Sequence, residues 1–152
     1  MELGRAREVL LALRPTHDSI NCEVEVRDWA AHLRMNLVSD PARWVVVYTS
    51  GATWSSLEVD GHVLGASGRF SLDCIHEDEA DDHVEERLQE YVALATTYLL
   101  QGGEITHSKI LGLPQLAIGH GPERVVLARS VAADLRALMS PRHWIGRSRA
   151  SG

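Results

Sequence analysis

Lysine is almost absent from this chain: Lys109 is the only one, against 14 arginines scattered from Arg5 to Arg149. Scattered guanidinium groups do not make the clustered basic footprint of a nucleic-acid-binding surface. Cysteine is scarce too. Cys22 and Cys74 are too few for a disulfide framework and too far apart for a Cys-x-x-Cys site. Both fall in alternating segments, so the expectation is two buried thiols. Long apolar runs are missing. The longest, Val92–Leu100, has nine residues and contains two threonines, whereas a bilayer-spanning helix needs about 20 apolar residues. The N-terminal run Val9–Leu13 is too short for a signal-peptide core, and Glu2 and Arg5 break the expected charge order. A cytoplasmic location is therefore expected, with no membrane and no nucleic acid among the partners.

Among the signatures of chemistry, no HExxH, GxxxxGK[ST], GxGxxG or GxSxG pattern occurs. Gly102-Gly103 and Gly119-His-Gly-Pro122 read as turns rather than phosphate loops. His76, His83 and Glu86 have two potential ligands on one helix face, and His107 or His120 would have to supply a third. No metal, no cofactor and no catalytic residue are assigned on this basis. Aromatic residues number eight, with a single phenylalanine.

What the chain does contain is globular: 152 residues, 45% hydrophobic and 24% charged, enough for one core and not two. Residues 1–141 are expected to form a single domain, and 142–152 a basic flexible tail. Glu2–Arg14 places Leu3, Ala6, Leu10 and Leu13 on one helical face and stops at Pro15. Ile20, Cys22, Val24 and Val26 alternate with polar residues as a half-buried strand does. Residues 29–38 fit either period and are assigned to a strand, because Ser39-Asp-Pro41 then reads as a turn. Trp44–Tyr48 is apolar on both phases, as a central strand covered by helices is. Trp54–Asp60 and His62–Ala66 flank Asp60-Gly61, a hairpin signal, and Arg69–Ile75 is a further strand. Asp82–Gln101 carries Val84, Leu88, Tyr91, Val92, Ala95, Tyr98 and Leu99 as one broad stripe, the mark of an amphipathic helix. Short strands follow near 104–106, 115–118 and 123–127, then a helix capped by Ser130 and ended by Pro141. The expected class is α+β: an antiparallel meandering sheet with a long helix and two shorter helices packed mainly on one face.

The strongest compositional feature is negative. Asp73–Glu90 holds nine acids and one arginine, in a chain of net charge −6 and pI near 5.7. Two or three acids suffice to cap a helix start and complement its dipole, with Asp78, Asp81 or Asp82 as the cap. The remainder add mutual repulsion, which a basic partner would relieve. Glu77, Asp78, Glu79, Asp81, Asp82, Glu85 and Glu86 are thus candidate partner-binding residues. Trp54 joins them, since it is opposite in phase to Leu57 and Val59 and an outward tryptophan is a plausible interface anchor; the other reading folds it back over the core. Trp144 is a candidate to dock from the tail.

Glu86-Arg87, Tyr91, Gly102-Gly103, Ile105, Ser108 and Gly112-Leu-Pro-Gln-Leu116 make a helix–glycine–strand–Gly-Leu-Pro passage. It resembles a family of small actinobacterial immunity proteins that neutralise polymorphic secreted toxins, over residues 86–116. The resemblance implies a non-enzymatic protein that binds one cognate toxin domain and blocks its active site; the acidic surface suits a basic target. It carries over no functional residue. Two alternatives stand beside it: a secretion-chaperone-like or adaptor module acting as a homodimer, suggested by element order, and a small α+β enzyme with a pocket in the sheet.

Overall fold

A computed structural model describes residues 1–60, 68–76 and 79–129. Among them the order is α1 (Leu3–Ala12), β1 (Ile20–Arg27), β2 (Ala30–Leu37), β3 (Trp44–Thr49), β4 (Trp54–Asp60), β5 (Arg69–Ile75), α2 (Asp81–Gln101), β6 (Gly103–His107), β7 (Pro114–Ile118) and β8 (Val125–Arg129). The strands form one sheet in the order β1-β2-β3-β4-β5-β8-β7-β6, antiparallel throughout. The class is therefore α+β, with eight strands and two helices described. The first five strands are a simple meander. The last three return as a second meander and dock through two residue pairs, Phe70–Arg129 and Ser71–Ala128.

Side chains alternate across a strand, so the register sorts them into two faces. On one face lie Leu33 and Met35 of β2, Val45 and Val47 of β3, Leu57 and Val59 of β4, Phe70 of β5, Leu116 and Ile118 of β7, and Leu127 of β8. They share one apolar cluster with Ala6, Val9 and Leu10 of α1 and with the seven stripe residues of α2. Both helices thus cover the same face. The α2 stripe is the set expected from the spacing, because residues three and four apart share a helix side. Gly102, at φ +81°, ends the helix in a conformation open to glycine at little cost.

The segment of two possible periods, 29–38, is a strand: Leu33 pairs with both Val24 and Val47 in the ladder. One boundary needs correcting. The last strand starts at Val125, not Glu123, because Gly121-Pro-Glu123 closes a 3-10 turn in which the proline supplies a fixed φ and needs no amide partner. The expected strand His62–Ala66 and the helix from Ser130, with its tail, lie outside the described residues. β4 is paired instead along its full length with β5, from Asp60–Arg69 to Trp54–Ile75.

No described helix is long and apolar enough to cross a membrane. Leu88 is fully buried midway along the α2 stripe. The Leu88→Ala change removes core volume under a rigid sheet and should lower the unfolding free energy by about 2–5 kcal/mol, read as a shift in urea midpoint at unchanged slope.

Candidate functional site

The acidic segment divides into tied and untied groups. Glu79 accepts both terminal nitrogens of Arg87, at 2.5 and 2.9 Å, and that fork holds its carboxyl below the ordinary glutamate value. Glu85 accepts Nε and Nη2 of Arg5 at 3.0 and 2.7 Å, joining α1 to α2. Asp81 lies 2.7 Å from the Met1 nitrogen. Asp82, Glu86 and Glu90 form no ion pair among the described residues, and all three are exposed. They follow one another at four-residue spacing, which sets them in a line on the outer side of α2. Glu77 and Asp78 lie outside the described residues. Among the described residues no aspartate caps this helix: the cap position is Ala80, without a side-chain hydrogen bond, and Asp81 and Asp82 occupy the first turn. They act on the helix through its dipole.

Trp54 points away from Leu57 and Val59, onto the sheet face opposite the helices, and is half-buried rather than a lone projecting anchor. The register explains why. Tyr48 pairs with Ser56 and with His32, so these groups share a face with Trp54 and project toward one another. Ring centroids stand at 5.5 Å for Trp54–Tyr48, 6.1 Å for Trp54–Trp29, 5.1 Å for Tyr48–His32 and 5.3 Å for His32–Trp29. Trp29, in the β1–β2 turn, is half exposed. Ile75, opposite Trp54 in the ladder, is 77% exposed. An apolar rim of Trp29, Trp54 and Ile75 therefore lies at the end of the sheet from which the chain leaves β5 for α2.

The far end of the same face is built from cations. Arg34 and Arg69 stack on the Trp44 ring, 5.7 and 5.2 Å from its centre, and Arg69 donates to the buried Glu58. Between the two ends, Ser56 and Ser71 both donate to the Asp73 carboxylate, at 2.6 and 2.7 Å. Sequence reading missed this face apart from Trp54. The period-two phase of Trp44, Tyr48, Ser56 and Glu58 was the available signal, obscured because Val46 in their midst is apolar.

Ser55 and His76 come within 3.0 Å through Oγ and Nε2. Both are buried, and the Ser55 hydroxyl donates to Thr49 Oγ1 at 3.0 Å. Thr49 in turn accepts the Gly51 amide and donates to the Trp54 carbonyl. The chain ties the β3–β4 turn to the end of β5; it does not present a nucleophile to solvent. The cysteines are less buried than the strand phase implies: each is intermediate, because Cys22 sits on the edge strand β1 and Cys74 near the end of β5. Desolvation raises the Cys22 thiol above its usual value, which disfavours the reactive thiolate. Among the described residues no three His, Cys, Asp or Glu side chains converge to hold a metal. A shallow groove of about 220 Å³ lies between the end of α2 and the 3-10 turn, lined by Gly102, Gly103, Glu104, Gly119, His120 and Arg124 among others.

Comparison with protein-family models, curated proteins and solved structures returned no match.

The two buried imidazoles set a pH dependence. Desolvation, reinforced by Arg27 and opposed by Glu25, pushes His32 down to about 4. Burial lowers His76 as well, against the pull of Glu79. A histidine neutral in the fold and free to protonate when unfolded makes the unfolded state the better proton binder. The stability it contributes is complete above its unfolded pKa near 6.5 and is lost as pH falls toward 4. For His32 the loss reaches about 3 kcal/mol at most. Denaturant titrations at pH 7, 6 and 5 should show this decline, and His32→Phe should shrink it; an equal decline in that variant assigns the effect elsewhere.

Proposed function

We propose that this chain is a non-enzymatic binding protein of the immunity type, which neutralises a cognate basic toxin domain by docking the outer side of α2. The observation that carries the reading is the line Asp82–Glu86–Glu90. Like charges at four-residue spacing each cost a helix a few tenths of a kcal/mol, and no cation among the described residues relieves them. Glu79, Asp81 and Glu85 already serve the fold through Arg87, the Met1 nitrogen and Arg5. The three outer acids serve none of these contacts, and a positive partner surface would convert their repulsion into attraction and speed encounter.

The rim of Trp29, Trp54 and Ile75 supplies what a charged line lacks. Charges steer and orient, whereas buried aromatic and aliphatic anchors hold. The rim lies on the sheet face that α2 does not cover, so a partner that docks on the acid line reaches the rim only by wrapping past the β5–α2 end of the sheet. The binding surface in this reading is Asp82, Glu86, Glu90 and Trp54, with Glu77 and Asp78 as neighbours in sequence. The same reading keeps a cytoplasmic site of action.

Co-expression with the toxin domain encoded beside this gene in its native genome should restore growth of the host cell. Against that purified domain, the triple variant D82N/E86Q/E90Q should associate about tenfold more slowly at low salt, with a flatter salt dependence. Rescue that fails, or kinetics and salt dependence unchanged in the triple variant, overturns the reading.

A further inference from the structure

Ile110 is 93% exposed, Leu111 73% and Leu113 54%. These three aliphatic side chains crown the turn between β6 and β7. The turn is held in shape locally: Ser108 N donates to the Leu113 carbonyl at 2.8 Å, Leu113 N to Ser108 Oγ at 3.1 Å, and Gly112 N to the Ser108 carbonyl at 2.9 Å. Gly112 adopts φ +62° to close it. An apolar group fixed outward by its own hydrogen bonds cannot fold back to escape water, and clustered exposure of this kind marks a contact surface.

The turn is continuous with β6, the last strand of the sheet, whose outer edge pairs with no described strand. Such an edge is a template for another strand. The opposite edge, β1, is guarded by Glu23, Glu25 and Arg27 at alternate positions; β6 carries only Glu104 and a terminal His107. We propose that β6 and the β6–β7 turn form a two-fold interface with a second copy of this chain, β6 pairing antiparallel with itself about Ile105. That register sets Glu104 opposite Thr106 of the second copy and His107 opposite Gly103, and brings no two like charges face to face. It also carries the turn past Gly103 of the second copy, alongside Gly102 and Gln101. There α2 ends with Leu100 44% exposed, beside the 220 Å³ groove.

A second copy is the occupant the chemistry favours over a lipid surface or a foreign strand. Two-fold symmetry uses every contact twice: two strand edges, two aliphatic turns and two grooves are covered at once. The turn alone offers three side chains per copy, too few for the roughly 1,200 Å² of a stable interface; strand edge, Leu100 and groove supply the rest. The pairing leaves the outer acids of α2 uninvolved, so it does not depend on the function proposed above.

The register makes the test specific. Sedimentation equilibrium of the full chain should show a concentration-dependent dimer. Leu111→Asp should weaken it at least tenfold with the far-ultraviolet spectrum and melting temperature kept. Thr106→Glu, which sets one carboxylate against Glu104 of the second copy in each half, should weaken it about tenfold, and Thr106→Lys should strengthen it by a similar factor. A wild-type chain that stays monomeric, or a dimer indifferent to Leu111→Asp and to the sign of charge at position 106, overturns the proposal. So does a monomer that floats with phosphatidylcholine–phosphatidylglycerol vesicles through the same turn.

Discussion

The structure depends on one contact: the apolar stripe of α2 laid across a twisted antiparallel sheet. The sheet has strict two-residue alternation and therefore two chemically different faces. The helix decides which of them is interior. Tyr98, Leu99, Leu88 and Val84 meet Leu33, Val47, Leu57 and Phe70 on one side, and this commits every residue of opposite phase to the other side. At about 25 cal/mol per Å² of apolar surface, burial of that face outweighs any single ion pair in the molecule. α1 extends the same cover over β1 and β2, and its Arg5–Glu85 pair fastens one helix to the other.

The opposite face is consequently where unusual chemistry collects. It gathers four rings at one end, two arginines on one tryptophan at the other, and three hydroxyl and carboxylate groups between. Ala30, Val46, Ser56 and Ser71 on this face are buried although neither described helix lies over them. The cost of desolvating the buried Glu58 carboxylate is met by Arg69, while the exposed Asp73 orders two serine hydroxyls beside it. The buried Ser55–His76 contact obeys the same rule. It reads as chemistry in isolation and as hydrogen-bond satisfaction once Thr49, Gly51 and Trp54 are placed around it.

Electrostatics at the start of α2 show how a tally of charge differs from a surface. Nine acids in eighteen residues invite treatment as one patch. The fold spends several of them internally, since Arg87 and Arg5 reach Glu79 and Glu85 from eight and eighty residues away. Asp82, Glu86 and Glu90, on the outward helix side, keep their charge toward solvent without an ion pair among the described residues, and that side is fixed by the stripe opposite.

The amino-acid sequence by itself determined the elements. Local periodicity marks both described helices and strands such as β1 and β5, because a 3.6-residue or two-residue repeat of apolar side chains is a property of neighbours along the chain; residues 29–38 fit both periods, and the turn after them decided for a strand. It also determined the phase of Trp54 and the glycine stop at Gly102. The tertiary structure alone decided which strands sit side by side, and hence that β8 returns to β5 while β1 and β6 become edges. It alone brought Trp29, His32, Tyr48 and Trp54 together, separated which acids are paired, and left Ile110, Leu111 and Leu113 in water. Those outcomes rest on contacts between residues far apart in the chain, whose free energy no local pattern encodes.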